Sequence, residues 1–273
     1  MSKKSRKRET PEEPEGPTFY VVATPIGNLE DLSARALRVL KEVAGLACED
    51  VRVTRKLLSA YEVPAPDHLF SCHAHNEDRA VHRILGILAE GGSVALVTDA
   101  GSPGVSDPGQ RAVTAVREAG HRIEVVPGAS AVTTALVASG FPIASYAFFG
   151  FPPRRPGRIR KLFAAAGEFP GAIVFFESPY RVGRFLALAH EVLGDREAAL
   201  CFELTKKFER VEAGRLGALA EAYAEKQGRG EVTIVIARAG ADDDDGADDD
   251  DSETGDGDDS EGPARRARRR PRD

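Results

Sequence analysis

Between Thr18 and Gly240 the chain alternates short β-branched or apolar runs with segments of helical period, and Gly/Pro-rich turns fall where strand-like runs end. That rhythm restricts the fold to α/β, because strand, helix and strand in repeated order close most readily as parallel βαβ units. The runs FYVVAT, GLACE, HLFSC, SVALVTD and RIEVV read as strands. Between them lie the helical pattern LSARALRVLKEV, a helix from about Glu77 to Glu90, and one from about Pro108 to Ala119. Leu29, Leu32, Ala36, Leu37, Leu40 and Val43 share one face at helical spacing, which predicts a helix lying on a sheet. A small-residue helix, AVTTALVAS, follows and stops at Gly140.

The segment FPIASYAFFGFPPRRPG then breaks the rhythm with its prolines and glycines, and it marks a domain boundary. A second set of elements follows: helix 158–166, strand AIVFFES, helix 180–193, strands AALCFEL and ERVEAGR, helix 216–226 and strand EVTIVIA. The expected organisation is a basic arm over residues 1–17, an α/β domain over 18–140, a second α/β domain over 141–240, and a tail over 241–273. Arm and tail are too polar to offset the entropy of ordering and are expected to be disordered.

Charge is segregated along the chain. The net charge of −6 is set by the tail, where residues 242–261 carry 13 acidic groups, six arginines follow over 265–272, and Asp273 ends the chain. Setting these aside from totals of 43 acidic and 37 basic residues leaves 29 and 31 over residues 1–241, a net of +2. Such a body neither demands nor excludes a polyanionic partner, so local basic clusters decide. No apolar run approaches the ~20 residues that span a bilayer. The basic start lacks the apolar stretch of a secretory signal. Cys48, Cys72 and Cys201 are too scattered for a disulfide framework or a structural zinc. The expectation is a cytoplasmic protein with no membrane association and no metal.

The densest chemical signal is LVTDAGSPGVSDPGQ, residues 96–110: a strand ending at Asp99, a stiff glycine-bearing loop, and a helix starting near Asp107. Gly101 and Gly104 permit positive φ and close backbone approach, which suits a ligand read by main-chain groups. It is neither a phosphate loop, since GxxxxGK[ST] is absent, nor the GxGxxG dinucleotide fingerprint. TPIGNLED, residues 24–31, makes a similar turn after the first strand. VVPGASAVTTA, residues 125–135, sets Ser130 at a helix start, as an N-cap or as a group facing a ligand. Three such turns at strand C-termini should converge on one cleft.

ATPIGNLEDLSARAL, CEDVRVTRKLL, HAHNE, LVTDAGSPGVSDPG, PGASAVTTALVASGFP, ESPYR and ELTKKFE together resemble the ribosomal RNA small-subunit methyltransferase I family of the tetrapyrrole-methylase superfamily, over about residues 18–240. The resemblance implies a two-domain fold with a mostly parallel N-terminal sheet and a mixed C-terminal sheet. It implies S-adenosylmethionine as cofactor, the ribose 2′-hydroxyl of a cytidine in the decoding region of 16S rRNA as acceptor within the 30S subunit, and a homodimer. By motif, the cofactor should touch Pro25, Asp99, Gly101, Ser102, Gly104, Val105, Ser130, Ala131, Phe176 and Leu204. The family usually has threonine and histidine where this chain has Val51 and Val53, and threonine where it has Ser102.

Methyl transfer from a sulfonium is an in-line displacement, so alignment dominates and a base or cation near the hydroxyl assists. Candidates are His73, His75, Glu77, Glu49, Asp50, Glu177, Glu203 and Lys206, with His75, Glu77, Glu203 and Lys206 placed first as catalytic residues. Arg52, Arg55 and Lys56, and Arg154, Arg155, Arg158 and Arg160, cluster in two segments suited to RNA phosphates. A methylase of a corrinoid or other tetrapyrrole precursor, and an RNA-binding module that has lost catalysis, are the alternatives.

Overall fold

A computed structural model describes residues 16–226 and 229–240. The basic arm up to residue 15 and the tail from residue 241 lie outside the described residues, as do the expectations made for them.

The first half contains β1 (Thr18–Val22), α1 (Ala34–Glu42), β2 (Gly45–Cys48), α2 (Val51–Ala60), β3 (His68–Ser71), α3 (Glu77–Ala89), β4 (Val94–Val97), α4 (Gln110–Glu118) and β5 (Arg122–Val126). Its five strands form a wholly parallel sheet in the order β3-β2-β4-β1-β5. Side-chain alternation sorts the strands onto two faces. Phe19, Val21 and Leu96 meet Ile84, Leu88 and Val116 of α3 and α4, whereas Val22, Leu46 and Val97 meet Val39, Leu40 and Leu58 of α1 and α2. From β1 the chain crosses over β4 to β2, and from β4 it crosses over β1 to β5. The strand order therefore reverses between β1 and β4, and a crevice opens at their C-terminal ends.

The second half holds α5 (Ala131–Ser139), β6 (Tyr146–Phe148), α6 (Pro156–Gly167), β7 (Ala172–Glu177), α7 (Val182–Leu193), β8 (Glu197–Phe202), β9 (Arg210–Arg215), α8 (Leu216–Tyr223) and β10 (Val232–Ile236). The sheet order is β6-β7-β10-β8-β9, with β6 parallel to β7 and the other pairs antiparallel. One face is covered by α6, α7 and α8 around Phe163, Phe175 and Phe185, whose rings meet edge to face at 5.0–5.5 Å. Each such pair contributes about 0.5–1.5 kcal/mol beyond the area it buries.

The opposite face is covered by α5, with Val132, Ala135 and Leu136 against Val174, Cys201 and Val235. The sequence reading groups α5 with the first half, yet it packs on the second sheet. Its small side chains allow the close approach, and its polarity carries no signal of which sheet it will meet. Two elements escape the reading altogether. The segment of α2 shows β-branched Val51 and Val53, but Asp50 caps it by accepting from Arg52 N at 2.8 Å, and tertiary burial of Thr54 and Leu58 completes the helix. β6 is too short to show a period. Leu29 is not on the face of α1: it sits in a 3-10 turn, Leu29–Asp31, and is exposed, because Ser33 starts the helix by accepting from Ala36 N.

Candidate active site

The loops after β1 and β4 are tied together at the crevice. Thr24 N donates to Gly101 O at 2.9 Å, Gly101 N donates to Thr24 O at 3.1 Å, and Thr24 Oγ1 donates to Thr98 O at 3.0 Å. Gly101 adopts φ +76°, a conformation that costs a residue with a side chain about 1–2 kcal/mol. The β1 loop is pressed in turn onto the loop after β8: Asn28 N donates to Thr205 Oγ1, and a Cβ on Gly27 would lie 2.4 Å from Lys206 Cγ.

These loops, the start of α5 and the end of β7 enclose a cleft of about 430 Å³. Its wall includes Asp99, Gly101, Ser102, Val105, Ser130, Ala131 and Phe176, which the sequence reading names. Ser130 is the N-cap of α5 and its side chain makes no capping bond, and the start of the helix, Ser130 to Val132, lines the cleft. Phe176 supplies an aromatic wall, backed by Phe148 at 4.7 Å and Phe151 at 5.5 Å between centroids. The remaining expected contacts lie beside it. Ile26 lines the cleft where Pro25 does not, Leu204 is buried in the cluster that Ile26 joins, and Gly104, at φ +83°, shapes the loop without reaching the wall.

The cleft is acidic. Glu49, Asp99, Asp107, Glu177 and Glu231 line it, and among the described residues that line it there is no lysine or arginine. Asp99 N donates to Glu49 Oε2, and Asp50 N donates to Asp99 Oδ1. Burial, reinforced by Glu49, Asp99 and Glu231, pushes the Asp107 carboxyl up to about 6. Burial also raises Asp99. A cavity that holds several carboxylates against their own repulsion is suited to a cationic ligand. The sequence reading misses Asp107, Glu231 and Phe151 as parts of the wall. Asp107 lies inside the Gly/Pro motif and was legible there, whereas Glu231 and Phe151 arrive from distant segments.

The four residues placed first for catalysis do not line the cleft. Glu77 is buried, and its Oε1 accepts from Gly109 N and Arg111 N at 3.1 Å each, so it holds the start of α4. His75 is exposed on the turn before α3, where its N donates to His73 Nδ1. Lys206 Nζ donates to Glu203 Oε1 at 3.1 Å and Glu231 Oε2 at 2.9 Å, fixing Glu231 at the rim. Of the basic clusters, Arg52 pairs with Asp50 and Arg160 forks onto Glu191, while Arg55, Lys56, Arg154, Arg155 and Arg158 are exposed. Among the described residues no group of three or more His, Cys, Asp or Glu side chains is arranged to hold a metal.

The profile of the family described as Tetrapyrrole (Corrin/Porphyrin) Methylases matches residues 18–220. A ribosomal RNA small subunit methyltransferase I from Micromonospora olivasterospora is 44% identical over 221 residues, covering 81% of this chain and 70% of the relative. The protein of that name from Bacillus subtilis is 41% identical over 218 residues, covering 80% and 74%. Among solved structures, a uroporphyrin-III C-methyltransferase from Thermus thermophilus complexed with S-adenosylhomocysteine superposes with a TM-score of 0.55 at 22% identity, over 81% of this chain and 97% of that one. At that identity the likeness shows the fold. Profile, sequence identity and architecture agree: the chain belongs to the ribosomal RNA small subunit methyltransferase I family of the tetrapyrrole methylases.

Proposed function

We propose that this enzyme transfers a methyl group from S-adenosylmethionine to the ribose 2′-hydroxyl of a cytidine in the decoding region of 16S rRNA, acting on the small ribosomal subunit in the cytoplasm. The observation that carries the reading is the acidic cleft at the strand reversal of the parallel sheet, in a chain 41–44% identical to the curated rRNA methyltransferases. The tetrapyrrole-precursor alternative rests on structures only 22% identical.

The residues present fit the donor. When bound, S-adenosylmethionine supplies an electrophilic methyl carbon on a positively charged sulfur. Asp99, Asp107, Glu49 and Glu231 provide the negative field that such a cation needs. The open N-terminus of α5, with the Ser130 hydroxyl, suits a carboxylate. Phe176 offers a flat apolar face for an aromatic base. The volume lies in the range of about 300–1,000 Å³ typical of small-molecule sites. Ion pairing of Lys206 with Glu203 and Glu231 keeps the rim of this cleft in place.

Incubating the protein with labelled S-adenosylmethionine and 30S subunits from a strain lacking the corresponding gene tests the reading. The expected result is one 2′-O-methylcytidine in the decoding region, with no methylation of a corrinoid intermediate. Absence of transfer to 30S subunits by protein that binds the donor would refute it. Sedimentation of the same preparation tests the expected homodimer.

A further inference from the structure

Beside the acidic cleft lies a second hollow of about 350 Å³, walled by Arg154, Arg181, Arg184, Ile159 and Phe185 and sharing Glu177 and Ser178 with the cleft. Its charge is opposite. Arg181 is fixed by donating from Nη2 to Pro152 O at 3.2 Å and Pro153 O at 3.4 Å, which pins the turn that carries Arg154. Arg154 and Arg184 are exposed and make no ion pair or hydrogen bond with the described residues. Other arginines are answered by carboxylates, Arg160 by Glu191 and Arg111 by Asp78.

Glu177 forms the wall between the two cavities. It is only 3% exposed, and Oε1 accepts from Ser178 N at 2.7 Å. Oε2 lies 3.1 Å from Arg181 Nη2 but off the direction of a hydrogen bond, and it has no hydrogen-bond partner. A buried carboxylate oxygen without a donor is unfavourable, and a ligand hydroxyl would relieve it.

We propose that the arginine-walled hollow seats a phosphodiester of the acceptor RNA, and that Glu177 Oε2 accepts a hydrogen bond from the ribose hydroxyl that is to be methylated. The inference rests on the function proposed above and adds the place where the acceptor nucleotide sits. Guanidinium groups converging on one hollow recognise phosphate oxygens. Glu177 and Ser178 line both the hollow and the donor cleft, so a nucleotide anchored by its phosphate presents its ribose at the partition.

The test uses the full chain with Arg154→Gln and Arg184→Gln combined, both exposed positions where the fold is kept. Binding to unmethylated 30S subunits, without donor and over a salt series, should weaken about tenfold. The log–log salt slope should fall by about 0.7–0.9 for each lost contact. S-adenosylmethionine affinity by calorimetry should not change. Glu177→Gln should keep 30S affinity and lower kcat at least about tenfold, a loss that would track KM instead if the residue only shaped the pocket. Unchanged 30S affinity and salt slope in the double variant would overturn the proposal. So would inhibition of the wild type by inorganic phosphate with no change in the double variant's 30S binding, which would mark a free-anion site. Wild-type protein that neither binds nor methylates 30S subunits would overturn the function itself.

Discussion

The two cavities share a wall yet have opposite electrostatics. The larger is lined by five carboxylates and by loops at the ends of parallel strands, and the smaller by three arginines near the start of α7. A near-neutral body thus conceals two fields of opposite sign, which net charge cannot report. The difference assigns a cation to one cavity and a polyanion to the other, and the substitutions that follow should affect one without the other.

The largest effect is expected from Gly101→Val. A β-branched side chain at φ +76° is strained, and its methyls enter the cleft, so donor affinity should fall more than about tenfold while 30S binding without donor is retained. Calorimetry on protein whose circular dichroism is unchanged checks this; intact affinity would separate the donor from the acidic cleft.

Asp107 sharpens the comparison through pH. Its carboxyl is pushed up to about 6 from 3.8, so the folded state holds the proton more tightly than the unfolded chain. Stability therefore declines as pH rises from about 4 through 6, by roughly 1–2 kcal/mol after solvent screening. Donor binding runs the other way, strengthening as the carboxylate ionises. Asp107→Asn should raise the melting temperature at pH 7, weaken donor binding about threefold to tenfold, and flatten its pH dependence near 6. A variant that melts lower would show that the charge is not held at a cost.

Smaller effects are expected outside the hollow. Replacing Arg155 and Arg158 by alanine should reduce the salt slope of 30S binding by no more than about 0.7–0.9 per contact and leave donor affinity alone. Arg160→Ala should change 30S binding least, because its guanidinium is already forked onto Glu191 at 2.8 Å in both bonds. A large effect of Arg160→Ala would move the RNA path across α6 and α7. Stability should barely change, because the pair is exposed and screened by solvent.

What the sequence made legible was whatever depends on local chemistry. Continuous apolar, β-branched runs located β1 and β4, and helical patterns located α3 and α7. The glycines at 101 and 104 announced their positive φ, and the three Gly/Pro turns met at one cleft because parallel strands end on the same edge. What stayed hidden depends on the partner. Glu77 looks like a catalytic base in HAHNE, and only the arrival of Gly109 and Arg111 commits it to a helix start. Glu231 joins the wall through Lys206, and Arg184 joins the hollow through the placement of α7; neither has a local signature. No element was read over α2, whose β-branched valines hide the helical period until Asp50 caps it.

The contact at Gly27 also bears on how this lineage can change. A methyl group there would meet Lys206 Cγ at 2.4 Å, Thr205 Oγ1 at 2.8 Å and the Leu204 carbonyl at 3.1 Å. Shortening Lys206 would leave the Thr205 hydroxyl and the Leu204 carbonyl in contact, and the main chain there would have to yield by a few tenths of an ångström. A side chain at this site is therefore inherited only together with a compensating change in the loop after β8, which couples the histories of the loops after β1 and β8.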